Sequence, residues 1–226
     1  MVSGDVIGVV AVYVYVAVLL LVTEKVLSKK FPLFSRKILH IMVGNIAFFL
    51  PIFETREIMT FVAAGPFIVI TFLISPLSPL KKVRDRLSKS GHGLGLVYYA
   101  IAWTVLAYVF FDHKEVIAIG ILAMSYGDGF ASLVGVKYGR KIYKVFDDTK
   151  SLVGSLGMFL FTLLMLEVAL LYYQIPMQMR ALPGLLILSL IATGVEGLTP
   201  KGLDNLSVPF VTAGFYWWLH YHLGVL

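Results

Sequence analysis

An all-α, polytopic bundle of about eight membrane-spanning helices is the architecture this chain predicts, and three observations carry it. Mean hydropathy is +0.88, and of the 226 residues 59% are hydrophobic and only 14% charged. One soluble core of that length cannot hide so much apolar surface, which makes lipid the solvent. The apolar residues fall into segments separated by polar loops. Every Lys and Arg except Arg56, Lys114 and Arg180 lies in alternate loops of that series. By the positive-inside rule these loops face the cytoplasm and both termini lie outside a cell membrane crossed many times. A seven-helix count moves one terminus and is the competing topology.

The first segment, about residues 6–23, has no basic stretch ahead of it and no small-residue cleavage pattern, so it is expected to stay as a helix. Its many β-branched residues are no obstacle, because lipid leaves the backbone only helix or closed barrel. A basic linker follows, and Pro32 restarts any helix after it. The second segment covers about 38–53 and the third about 58–75, joined by a short turn at Glu54, Arg56 and Glu57. Residues 76–93 form a second basic loop with an irregular start at Ser75-Pro76 and Ser78-Pro79. The fourth segment is about 94–111 and the fifth about 116–136. A basic loop over 137–150 leads to the sixth, about 151–173. The seventh, about 182–195, and the eighth, about 206–223, complete a single membrane domain over 1–226. The formal charge of +6 sits in the loops between apolar segments, which favours topology over nucleic-acid binding. With no cysteine, disulfides, thiolate nucleophiles and thiolate metal ligands are excluded.

Residues 127–155 organise the rest. Gly127-Asp128-Gly129, Gly135, Gly139 and Lys150-Ser151 bracket the fifth loop. Gly127, Ala131, Gly135 and Gly139 recur every four residues, a smooth helix face that admits another backbone. Simple helix packing explains those small residues equally well. Asp128 is costlier: a carboxylate near a membrane-embedded helix end needs a partner, water or a metal. Magnesium takes such oxygen ligands and completes its shell with water and phosphate. Ser151 caps the sixth segment, whose first amides and neighbouring Lys150 suit a phosphate. The stretch is no Walker motif, since Asp147-Asp148-Thr149 precedes Lys150. Those two acids are equally well placed to help a metal or to be solvated.

Two further groups are expected on the same face. Arg36, Lys37 and His40 open the second segment, with Arg36 and His40 on one helical side. Headgroup anchoring also explains the two cations, and a packed neutral imidazole explains His40. The loop EGLTPKGLDN at 196–205 carries more acid than base, against the trend of its side of the membrane, so Glu196, Asp204 and Asn205 are expected to have a task. Glu167, 16 residues after Ser151, falls roughly 24 Å along the helix, near the outer boundary. His113, His220 and His222 lie toward that outer side and make no shared zinc site.

SRKILHIMVGN at 35–45, YGDGFASLVGVKYGR at 126–140, DDTKSLVGS at 147–155 and EGLTPKGLDNLSVP at 196–209 together resemble the dolichol/phytol kinase family. These are polytopic CTP-dependent kinases of isoprenoid alcohols, related to CTP-dependent diacylglycerol kinase and phosphatidate cytidylyltransferase. The resemblance implies CTP as donor, Mg2+ as cofactor and an isoprenoid alcohol drawn from the bilayer as acceptor. It implies catalytic roles for Asp128, Lys150 and His40, with Asp128, Glu196 and Asp204 around the metal. Arg36, Lys37, Gly127, Gly129, Lys150, Ser151 and Asn205 would contact the nucleotide. The chain departs from the pattern at Val153, where many relatives carry an acid before glycine, so that acid's role has no holder here.

Overall fold

The computed structural model describes residues 3–31, 34–80, 94–146, 148–176, 181–200 and 202–224. The basic loop over 81–93, Asp147, Arg180 and Lys201 lie outside the described residues. Helix α1 spans Ser3–Lys30, with a π turn at Thr23–Leu27. The chain restarts in α2, Ser35–Val43, which tightens into a 3-10 stretch, Gly44–Ile52, containing Pro51. Helices α3, Ile58–Leu73, and α4, Gly95–Val109, follow. Then come α5, Lys114–Tyr138, and α6, Leu152–Tyr172. Helices α7, Ala181–Leu198, and α8, Asp204–Tyr221, end the fold.

Each apolar segment of the sequence therefore folds as a helical unit. Among the described residues α1, α5 and α6 are long and apolar enough to cross a membrane, while α3, α4 and Leu182–Leu198 are apolar but shorter. The most apolar stretch of α5 is 78% buried and that of α1 only 11%, so α5 is the central post and α1 the peripheral one. Residues 116–124 of α5 are sealed on all sides, by α8, α6 and the 3-10 stretch after α2. A helix apolar all round belongs in that place.

The all-α expectation needs one correction. The loop over 137–150 holds an antiparallel hairpin, β1 Ile142–Val145 and β2 Asp148–Ser151. Its register pairs Tyr143 with Lys150 and Ile142 with Ser151. Phe146 turns the corner with a positive φ of 53°. Burial alternates along both strands, with Tyr143, Val145, Asp148 and Lys150 the more covered positions and Ser151 buried where α6 begins.

Candidate active site

Four helix ends and the hairpin meet at one end of the bundle. In α5 a π turn, Ala123–Asp128, inserts an extra residue immediately before the helix continues. Such bulges redirect a side chain that regular winding would send elsewhere, and here the redirected group is Asp128. Glu196 comes from the last turn of α7 and Asp204 from the first residue of α8. The helix dipole favours an acid at the second position and disfavours one at the first. The reversal between them is tight, with Gly202 at φ +91°, a conformation L side chains resist.

Asp128, Glu196 and Asp204 are all buried, and each offers a carboxylate oxygen within 4.8 Å of the others. Two ammonium groups enter the cluster. Lys37 Nζ lies 3.1 Å from Asp128 Oδ2. Lys150, carried inward by β2, donates to Glu196 Oε1 at 2.6 Å and also to the Glu196 backbone carbonyl. No cation is bonded to Asp204 among the described residues; its Oδ1 accepts from the Asn205 amide at 2.9 Å. Among the described residues, three carboxylates thus face two ammoniums. Like charges about 4 Å apart repel by about 4 kcal/mol at an effective dielectric of 20. Three buried carboxylate oxygens this close together suit a hard divalent cation such as Mg2+.

His40 stands beside this cluster. Its Nε2 is 3.5 Å from Asp128 Oδ2 and has no hydrogen-bond partner among the described residues. The ring packs edge-on against Tyr99, 5.0 Å between centroids, and Tyr99 is tied to Ser125 by a 2.9 Å hydroxyl–hydroxyl bond. Asn205 donates to the Gly95 carbonyl at 3.1 Å, and its own buried Oδ1 has no partner among the described residues.

The cluster forms the mouth of a cavity of about 590 Å³. Arg36, Lys37, His40, Asp128, Asp204 and Asn205 line that mouth. Behind them the walls are apolar and come from α1, α2 with its 3-10 extension, α3 and α4. The cavity follows α4 from Gly95 to Ala107, a helical rise of roughly 18 Å. It ends among Leu50, Phe53, Met59 and Ala107.

Most of the residues singled out in the sequence converge on this place, and Gly127, Gly129, Ser151 and Asp148 do not. Gly127 faces α6, where an added Cβ would collide with Thr162 and Met158. Gly129 faces α2, where it would collide with Ile41. Both glycines let helices touch and neither opens on the cavity. Ser151 is spent as the cap of α6, its Oγ accepting from the Gly154 amide at 3.1 Å. The Leu152 amide is also occupied, by the Lys141 carbonyl at 3.0 Å, so the α6 start offers fewer free amides than expected. Arg36 is exposed at the cavity mouth. Asp148 bonds the next amide in its own strand at 2.9 Å and stands apart from the three-acid cluster. Tyr99, Ser125 and the cavity-lining positions carry no local sequence signal; apolar residues in apolar helices do not announce which face is hollow.

Comparison with known proteins agrees with the motifs. The chain is 34% identical over 195 residues to the phytol kinase of Synechocystis sp., covering 82% of this chain and 81% of that protein. It is 34% identical over 196 residues to phytol kinase 1, chloroplastic, of Arabidopsis thaliana, covering 79% of this chain but 64% of that longer protein. A probable phytol kinase 1, chloroplastic, of Glycine max is 30% identical over 206 residues, with 83% and 67% covered. No family model matches the chain, and no solved structure matches it. Identity at this level, sustained over about four fifths of both chains in the cyanobacterial case, makes this protein a member of the phytol kinase family.

Proposed function

We propose that the protein transfers the terminal phosphoryl group of CTP to the hydroxyl of an isoprenoid alcohol taken from the bilayer. One observation carries the reading: a cluster of buried acids and ammoniums sits at the mouth of a long apolar cavity. Phosphoryl transfer to a lipid alcohol requires both halves of that arrangement. The isoprenoid chain fills the cavity and its hydroxyl stops at the mouth, beside Asp128, His40 and Asn205. The nucleotide approaches from the hairpin side, where Lys37, Lys150 and Arg36 face its phosphates. CTP as donor rests on the four sequence motifs.

In the transfer, the alcohol oxygen bonds to the γ-phosphorus and the bond from that phosphorus to the β–γ bridging oxygen breaks. CDP leaves, and the alcohol proton passes to Asp128 or to Nε2 of His40. A magnesium ion held by Asp128, Glu196 and Asp204 would neutralise donor phosphate charge. Lys37 and Lys150 are placed to stabilise the charge that moves to the leaving group, and Asn205 to orient the hydroxyl. Positioning and electrostatics supply most of the rate in such transfers. The gathering of acids at one end, rather than through the depth of the bundle, disfavours an ion path. In our reading the helical units cross the membrane eight times, with the hairpin end in the cytoplasm.

The test is turnover of purified protein with Mg2+, a prenol and labelled CTP or ATP. Phosphorylated prenol and CDP are expected; release of pyrophosphate would assign a cytidylyltransferase instead. Asp128→Asn should lower turnover by at least a thousandfold while the protein still purifies folded from membranes. Wild-type turnover in that variant would overturn the assignment.

A further inference from the structure

The cavity closes among Leu50, Phe53, Met59 and Ala107, and the only aromatic ring in that closing group, Phe53, is held from several sides. Phe53 is 1% exposed and lines the cavity at the end remote from the acids. Its ring rests on Gly8 of α1, where an added Cβ would lie 2.8 Å from Cζ. Its carbonyl accepts from Lys114 Nζ at 2.7 Å, and its amide donates to the Leu50 carbonyl at 3.1 Å. Immediately after it, the Glu54 and Thr55 amides donate to Asp5 Oδ1, each at 3.0 Å. Beyond the ring the cavity gives way to this polar layer.

From this geometry we infer that Phe53 is the specificity-determining residue that caps the length of the isoprenoid chain the cavity accepts. The inference rests on the reading that the cavity holds the acceptor's chain. Carbon–carbon bonds of about 1.5 Å advance an extended chain by roughly 1.25 Å each. The roughly 18 Å between the levels of Gly95 and Ala107 on α4 then takes about fourteen bonds, close to four isoprene units. A fifth unit needs about 5 Å more, and the Phe53 ring stands in that space. Long polyprenols fit only by leaving the cavity sideways.

The experiment uses the full chain in detergent with prenols of three, four, five and six isoprene units. Two readouts are taken: the thermal stabilisation each alcohol gives without nucleotide, and kcat/KM for each with CTP and Mg2+. The wild type is expected to gain stability up to four units and to lose its response beyond. Phe53→Ala should move that limit to five units, raising the kcat/KM ratio of five-unit to four-unit prenol roughly tenfold or more, as pocket-length discrimination does. Ala63→Leu guards against a Phe53→Ala protein that fails to fold. Ala63 lines the cavity one helical turn after Met59 on α3, and the larger side chain should move the limit down to three units. A length profile unchanged in both variants would overturn the inference even with full turnover. A shifted binding profile with no phosphoryl transfer would leave the length limit in place and overturn the kinase reading instead.

Discussion

Lys150 and Glu196 form the most enclosed charge pair of the site, each side chain 8% exposed. Burying two charges costs several kcal/mol per ion, which their attraction and added hydrogen bonds must offset. Lys150 gains such a bond from the Glu196 carbonyl. Lys150→Met strips Glu196 of its counter-charge and should cost about 3–5 kcal/mol of stability. Lys150→Met with Glu196→Gln should recover most of that loss while transfer stays absent. Thermal unfolding in detergent beside an activity assay separates the two effects. Asp204 predicts the opposite sign. It is the acid without a bonded cation among the described residues, so Asp204→Asn relieves repulsion and should stabilise the metal-free protein by about 1 kcal/mol or more. Saturating Mg2+ should raise the melting temperature of the wild type, by the equivalent of about 2.7 kcal/mol at a hundred times Kd, and the same variant should lose that rise. A metal-free Asp204→Asn protein less stable than wild type would count against the excess negative charge.

At the scale of elements, the contact of α5 with its neighbours explains the glycines. Gly127 and Gly129 bring α5 against α6 and α2, and close approach of this kind is how helices pack in lipid. Gly127→Ala should cost about 1–3 kcal/mol through overpacking and leave KM for the nucleotide unchanged. A raised KM with unaltered stability would restore the phosphate role suggested by the Gly-Asp-Gly run. This is where the sequence was ambiguous: spacing by four marks a smooth face but cannot say whether backbone or ligand lies on it. The helices were legible because apolar segments in lipid have few alternatives, and their observed bounds lie within about three residues of the segments except in α1, which runs on through the basic residues to Lys30. Asp128, Lys150, Glu196 and Asp204 were legible because charge near an apolar segment demands compensation. Three features had no such signal. The π turn that ends at Asp128 leaves the residue pattern of α5 intact, and strands of four residues are too short for a period of two to stand out in the sequence. The cavity is an absence between four helices, visible only once α1, α2, α3 and α4 are placed together.

The whole molecule is polar at both ends and built differently at each. The hairpin end carries the buried acid cluster and the cavity mouth. The other end is a layer of caps and ties: Asp5 on the Glu54 and Thr55 amides, Arg56 on Asp112 at 2.5 Å, and Tyr221 bridging His113 and Glu115 at 2.8 and 2.7 Å. Helix α5 joins the two ends. Its 25 residues rise about 37 Å, enough for a hydrocarbon core of about 30 Å, and the proposed crossing puts residues just outside its ends on opposite sides of the bilayer. Phe146, in the hairpin turn, is 78% exposed, and the Asp112 side chain is 68% exposed. The chain has no cysteine, so a single one placed at either position is a clean reporter. Phe146→Cys loses no buried contact, and Asp112→Cys loses only an exposed ion pair, worth less than about 1 kcal/mol. In intact cells an impermeant maleimide should label position 112 and spare 146 until the cytoplasmic face is opened. That outcome puts the acid cluster where cytoplasmic nucleotide reaches it and leaves the cavity running outward through the membrane. Labelling of both positions from one side would break the crossing of α5, and with it the route by which a bilayer alcohol and a soluble donor meet at Asp128.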